Sequence, residues 1–411
     1  VDLASVLDTP SNERTADQSS TIRKYYREVH CNHPDWLTLE QQERGFVKSK
    51  KKLVDGFPTT LVWKEKKEPV QAYVLTRGQY DAPGKAVQRR TPSWLSAWPE
   101  DAPLDRRGLA QWLVAPEHPL TARVAVNRFW QQLFGTGLVK TSEDFGSQGE
   151  PPSHPELLDW LAHDFQHSGW DVKRLMKMMV LTDAYRRRAF TEDEHLAVDP
   201  ENRLLARGPR FRLDAETLRD QALFVSGLLN DFDGGPSVKP PQPKGLWYAV
   251  GYTRSNTANF SADEGADVFR RSLYTFWKRT SPPPQMSTFD APSRESCTVR
   301  RERTNTPLQA LLLMNETQDL ESAKTLARQL VADSEQKTNE SKIRWLFRRT
   351  ATRPATDEEV AELQTLLIDL TAYYESQPTL AAELTGESSP DAAAWSVLVS
   401  TVMNLDEVVN K

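Results

Sequence analysis

Apolar residues recur at helical spacing through most of the chain beyond residue 105. Between Leu120 and Phe134, Val126, Trp130 and Leu133 share one face, and Gly135 follows as a stop. Leu157, Leu158, Trp160 and Leu161 begin a second amphipathic helix that ends near Gly169, with Ser153-His154-Pro155-Glu156 reading as a capping box before it. Asp171 is placed to cap a helix carrying Leu175, Met176, Met179 and Val180, and Asp214 one carrying Leu218, Ala222, Val225 and Leu229. Thr306 with Pro307 opens a helix through Leu311 and Met314. Thr356-Asp357-Glu358-Glu359 is another capping box, and a last helix is predicted from about Asp391 to Met403. The pattern predicts about eight or nine helices.

The first hundred residues read differently. Residues 1 to about 50 are polar and charge-dense, with short helical stretches only. Thr59–Trp63 and Val70–Leu75 are β-rich runs separated by the charged Lys64–Glu68 segment, which predicts a hairpin or a pair of edge strands. Gly78, Pro83, Gly84, Pro92, Pro99 and Pro103 then punctuate a linker. Two long irregular stretches, 231–266 and 280–305, interrupt the helical part and are expected to pack together over the helices, since loops of that length need a reason to exist. The fold class is mainly α: an irregular multi-helix domain with long loops, preceded by a small β hairpin-like element. The expected organisation is a polar segment at 1–57 (a remnant of, or contact to, an upstream domain), the β element and Pro-rich linker at 58–104, and a helical domain at 105–411.

Composition narrows the classes. In 411 residues, 52 Lys+Arg against 57 Asp+Glu leave a net charge of −5, which suits neither a nucleic-acid binder nor a partner of anionic membranes. The longest apolar run, Ala310–Met314, is far short of the roughly 18 residues a membrane helix requires. The opening Val1-Asp2-Leu3-Ala4 has no initiator Met and no basic or apolar leader, so the chain reads as a mature product or an excised piece. Cys31 and Cys297 are the only cysteines, and whether they pair is left open. With no Cys-x-x-Cys-His there is no haem motif, so no cofactor is expected in this chain, and a haem would belong to a missing domain or a partner.

Three segments carry a family resemblance. The first runs from Arg106-Arg107-Gly108-Leu109 through Asn127-Arg128-Phe129-Trp130 to Phe134-Gly135-Thr136-Gly137. The second joins Asp144-Phe145-Gly146 to His154-Pro155-Glu156-Leu157-Leu158-Asp159-Trp160-Leu161 and Gly169-Trp170-Asp171. The third is Phe289-Asp290-Ala291-Pro292-Ser293-Arg294-Glu295, continuing through Cys297-Thr298-Val299-Arg300-Arg301 to Arg303-Thr304-Asn305-Thr306-Pro307-Leu308-Gln309-Ala310-Leu311. Together, over roughly residues 100–411, the chain resembles the planctomycete-specific C-terminal domain of unknown function found in long polypeptides beside a cytochrome c-like domain. The resemblance implies an extracytoplasmic setting, periplasmic or at the cell surface, and a cytochrome-bearing domain or partner. It supplies no reaction and no catalytic residue.

Candidate chemistry concentrates between Arg270 and Asn305. Arg294, Arg300, Arg301 and Arg303, with Asp290 and Trp277, form the expected ligand region, because guanidinium forks bind carboxylate or sulfate bidentately and an indole stacks on a sugar face. The same arginines would equally serve as an internal ion-pair network pinning a long loop. Cys297, among these arginines, reads as a buried, inert thiol. Asp290 and His154 are the candidates for acid/base roles. His30 and His33 are candidates for a metal, and His163 with His167 a weaker pair, although no complete ligand set is present. Trp112, Trp130, Trp160 and Trp345 lie on apolar helical faces and read as core, whereas Trp63, Trp94, Trp98, Trp247 and Trp277 read as free for stacking. The leading function is a binding or scaffold domain that takes an anionic glycan. The alternative is a hydrolase-like enzyme on anionic or sulfated polysaccharide.

Overall fold

The computed structural model describes residues 3–57, 59–190, 192–251, 255 and 257–411. The chain is mainly helical, and it divides into two units, Val1–Arg89 and Arg90–Lys411.

Among its described residues, the first unit holds three α-helices and a hairpin. α1 (Leu3–Leu7) is followed by α2 (Ala16–Tyr25), opened by a Thr15–Gln18 capping box, and by a π-helical turn at Tyr26–His30. α3 spans Pro34–Asp55, a 22-residue helix where only short helical stretches are expected. Its start is fixed by Pro34 in the first turn and by the Trp36 indole, which donates to the Arg27 carbonyl at 2.8 Å. The hairpin pairs β1 (Ala72–Leu75) with β2 (Pro83–Val87), so the second predicted run is a strand, while 59–71 is irregular. The partner strand comes from the stretch read as linker. Its turn is possible because Arg77 and Gly78 both adopt positive φ.

In the second unit, residues 90–104 pack with the helices as a rigid strap. The Trp112 indole donates to Ser96 O at 2.9 Å and that of Trp98 to Ala102 O at 3.1 Å. α4 (Arg106–Leu113) leads to α5 (Thr121–Phe134), α6 (Pro155–His167) and α7 (Val172–Val180), which bury Val126, Trp130, Leu158, Leu161, Phe165, Leu175 and Met179 together. Buried Asn127 holds the chain after α5. Its amide accepts from Val139 N at 2.8 Å and donates to Val139 O at 3.0 Å. Gly137 is required there, since a Cβ would sit 2.6 Å from the Asn127 amide nitrogen. Asp171 caps α7 as expected, accepting from Arg174 N. The expected Ser153–Glu156 box does not form: His154 is the N-cap, and Ser153 Oγ donates to Leu138 O at 3.4 Å.

Short helices α8 (Asp183–Arg186) and α9 (Asp193–Val198) precede α10 (Ala215–Val225). Two one-turn helices, α11 (Leu246–Val250) and α12 (Pro284–Thr288), sit within the predicted long loops. α13 (Pro307–Asn315) begins where Thr306-Pro307 predicts, and α14 (Thr317–Ala332) follows directly. The C-terminal core is built by α14, α15 (Asn339–Thr350), α16 (Asp357–Ser376) and α18 (Pro390–Met403), with α17 (Pro378–Thr385) against α18 and α19 (Asp406–Val409) closing the chain. Leu326, Leu330, Ile343, Phe347, Leu367, Trp395 and Leu398 fill it. Arg353 bridges Glu359 and Glu407, which raises its pKa and holds the Glu359 carboxyl down at about 2 through the Arg353 hydrogen bonds.

Trp395 is 1% exposed at the centre of α18. Trp395→Ala is expected to cost about 3–5 kcal/mol in denaturant unfolding, the range for truncating a large buried aromatic. A loss below about 1 kcal/mol would show that this core does not govern folding.

Candidate functional site

The arginine segment is brought together by the fold, and each member meets a partner within the chain. Arg301 grips Glu216 of α10 with two hydrogen bonds at 2.6 and 3.2 Å and lies 3.7 Å from Asp214. Arg303 donates to Gly135 O at 3.1 Å, lies over the Phe211 ring and is 3.9 Å from Asp214. Asp214, expected to cap α10, makes no side-chain cap and faces these two guanidinium groups instead. Arg300 pairs with Glu143 at 3.3 Å, and Arg294 stacks over Trp277 at 4.3 Å. That guanidinium occupies an indole face that a sugar would use. Asp290 pairs with none of the arginines; its Oδ2 accepts from the Thr304 N–H and hydroxyl, both at 2.8 Å. Backbone strain marks the loop, with Asp290 at φ 58° and Arg294 at φ 64°.

The other sequence candidates stand apart. His154 lies beside Ser153 Oγ at 3.0 Å. His33 caps α3, its Nδ1 accepting from Asp35 N, and the His30 ring packs edge-on to Tyr25. His163 and His167 stack at 3.8 Å. Among the described residues, no three His, Cys, Asp or Glu side chains form a group that could hold a metal. Cys297 is exposed rather than buried, and both thiols are free. Trp160, read as core, is 55% exposed, whereas Trp247, read as free, is 4% exposed. Helix α6 turns its indole outward, and the 231–266 loop folds over Trp247.

That loop has its reason in a cavity of about 380 Å³. Segment 239–247 forms one wall, Phe260 and Phe276 another, and 281–286 with the junction of α13 and α14 complete it. The volume falls in the range of small-ligand sites. Trp247 meets Phe260 edge-on at 5.1 Å and Phe276 at 5.5 Å, while Lys278 covers the indole at 4.8 Å and is itself held by Thr257 O. Pro240, Pro241, Pro243, Pro283 and Pro284 stiffen the rim and contribute no backbone N–H donor. Three polar atoms on lining residues are buried without a protein partner: Trp247 Nε1, Gln242 Nε2 and Thr275 Oγ1. Leaving such a group unmet costs about 1–3 kcal/mol, and all three sit in the walls of this cavity rather than on its open surface.

The cavity's base is a buried polar network. Arg219, 1% exposed, donates from Nε to Gln318 Oε1 at 2.8 Å, from Nη1 to Arg270 O and Ser272 Oγ, and from Nη2 to Val268 O at 2.7 Å. Burial lowers its pKa, opposed by Asp220 at 3.5 Å. Glu316 caps α14, its Oε2 accepting from Gln318 N at 2.7 Å and Asp319 N at 3.0 Å, which leaves Oε1 outside the cap. Burial raises the Glu316 pKa, and burial followed by the Glu316 charge raises that of Asp319 well above its ordinary value. Gln285 donates to Asp319 Oδ2 at 2.9 Å. None of these cavity residues stands out by sequence motif, although Lys239-Pro240-Pro241-Gln242-Pro243-Lys244-Gly245-Leu246-Trp247 is a rigid, aromatic-tipped segment whose composition is a usable signal.

The arginine network gives one expectation. Arg301→Met should cost about 1.5–3 kcal/mol, the scale of hydrogen bonds to charged groups, whereas Arg294→Met should cost within about 1 kcal/mol. Equal losses in thermal unfolding would contradict the geometry. The carboxyl pair gives another. Asp319 and Glu316 bind protons more tightly folded than unfolded, so their stabilising contribution is complete below about pH 4 and is lost as pH rises through the raised values. Asp319→Asn should flatten the fall in stability toward neutral pH. An unchanged slope in denaturant midpoints against pH would refute it.

Residues 105–367, well over half of the chain, match one family model, described as a protein of unknown function. No curated protein and no solved structure matches the chain. The segment matched takes in all three sequence motifs, the arginine loop and the whole cavity. The chain therefore belongs to PSD1, a family of proteins of unknown function (DUF1553).

Proposed function

We propose that this chain is a binding domain that holds a sugar-sized ligand in the cavity between segment 239–247 and the α13–α14 junction. The observation that carries the reading is a rigid, aromatic-lined cavity with unmet polar atoms on Trp247, Gln242 and Thr275. Aromatic walls cover the apolar face of a sugar ring, and the unmet atoms leave the walls with hydrogen-bonding capacity that the chain itself does not use. The arginine loop serves this site from outside, fastening the chain between α12 and α13 to α10 through Arg301 and Glu216. A cytochrome-bearing partner and an extracytoplasmic setting complete the proposal, and both rest on the resemblance of the three motifs.

A second reading, a hydrolase-like enzyme on polysaccharide, is favoured by Glu316. Burial raises its pKa, the direction a general acid requires. Glycoside hydrolysis uses two carboxyl groups about 5–9.5 Å apart across the bond to be cut. Among the described residues, Glu316 is the one carboxylate lining the cavity, and neither Asp290 nor His154 lines it. Binding is therefore the better-supported activity.

Asn315, exposed at the end of α13, lines the cavity mouth. Asn315→Trp should abolish binding of a mono- and disaccharide panel while the melting temperature stays within a few degrees of wild type. Unaltered binding in that variant would place the ligand elsewhere. Release of reducing ends by wild type, lost in Glu316→Gln, would establish the enzyme reading instead.

A further inference from the structure

Building on the cavity as ligand site, we infer that the ligand is an anionic sugar unit, with its ring against the aromatic wall of Trp247, Phe260 and Phe276 and its carboxylate or sulfate group held by Lys239 and Lys244. Lys239 is half-buried and Lys244 exposed, and both line the cavity. Among the described residues, neither ammonium group has a carboxylate within ion-pair distance. Lys239 Nζ lies 5.6 Å from the centre of the Phe276 ring, and Asp263, the nearby acid, is engaged by the backbone N–H of Lys239 at 2.8 Å. Two cations without acid partners at one lip form an electrostatic sink for an anion.

The hydrogen-bonding inventory agrees in sign. Trp247 Nε1 and Gln242 Nε2 are donors only, so what they lack is acceptor oxygens. The five rim prolines supply no N–H, which leaves side chains as the donors on that wall. Arg219 lines the base, but its donors are committed to Gln318, Ser272 and the backbone oxygens of Val268 and Arg270, so it steadies the site without being free for the anion. Glu316, on the α13–α14 junction, also lines the cavity, and its Oε1, outside the α14 cap, is an acceptor for a sugar hydroxyl.

The larger open groove beside Arg303 is the competing site. It spans about 920 Å³, and Lys140, Arg207 and Arg210 line it. Glu192, Asp193 and Glu201 line it too, Lys140 is paired with Glu201 at 2.8 Å, and Arg207 donates to the Asp199 and Pro200 carbonyls. These cations are therefore engaged within the chain, whereas Lys239 and Lys244 of the smaller cavity have no acid partner among the described residues.

The test is calorimetric titration of the whole chain with glucose, glucuronate, glucose 6-sulfate and inorganic sulfate. At least one of the two anionic sugars should bind about tenfold tighter than glucose, the scale of one charge-assisted contact, and the pair distinguishes carboxylate from sulfate. The Lys239→Met, Lys244→Met double variant should lose that preference, binding both anionic sugars no tighter than it binds glucose, and Lys239→Arg should keep it. Equal affinity for glucose and both anionic sugars would overturn the inference and leave the cavity reading standing, provided Asn315→Trp still blocks glucose. A preference that survives the double lysine variant but falls in Arg300→Met or Arg303→Met would move the anion to the arginine segment. Inorganic sulfate binding as tightly as glucose 6-sulfate would remove the role of the ring. Absence of binding by every sugar would remove both the inference and the cavity reading.

Discussion

A charged guanidinium sealed inside the protein governs the centre of this fold. Arg219 sits on α10, yet its donors reach the 268–272 segment and Gln318 at the start of α14. An ion so deeply desolvated is tolerable only when every hydrogen bond is made. That requirement brings three stretches, far apart in sequence, to one point. Arg219 and Gln318 also line the base of the cavity, so the shape of the site there follows from satisfying one buried charge. Gln318 links the layers further, since its own amide donates to Val268 O at 2.9 Å.

Around this point the two irregular stretches acquire definite paths. Asn230 bridges to Arg270 and Val238 to Thr275, which lays the 231–266 loop along the 270–276 segment. Arg270 then reaches across to the carbonyls of Phe232, Gly234 and Pro236, with its guanidinium over the Tyr274 ring at 3.8 Å. In this segment arginines replace the regular ladders that helices and strands would supply. Backbone carbonyls without a secondary-structure partner need donors, and a guanidinium offers five in a fixed plane.

Much of the helical framework was legible in the sequence, because apolar spacing and caps act locally. Thr306-Pro307, Asp171 and the Thr356–Glu359 box all start helices where they stand. The misreadings came wherever a distant partner competes for a local signal. Ser153 and Asp214 have the right chemistry to cap, but Leu138 O and the Arg301–Arg303 pair claim their side chains. The hairpin's second strand was hidden because Pro83 and Gly84 look like linker until the strand beside them is known. The arginine cluster was visible, but its acids, Glu143, Asp214 and Glu216, lie about seventy or more residues upstream. The cavity was the least legible feature, since Lys239, Trp247, Phe276 and Glu316 carry no common motif and meet only through the tertiary fold.

The placement of α18 bears on where this family's fold ends. Sequence similarity to the family stops at residue 367, within α16, but α14 makes its most extensive helix contact with α18, which begins at Pro390. Ala393, Ala394, Trp395, Leu398 and Val399 are fully or almost fully buried there. The family boundary thus cuts through a helix and leaves out the element that closes the C-terminal core. Similarity and foldability have different borders here: this chain trimmed to the recognised segment would present a long apolar face to water.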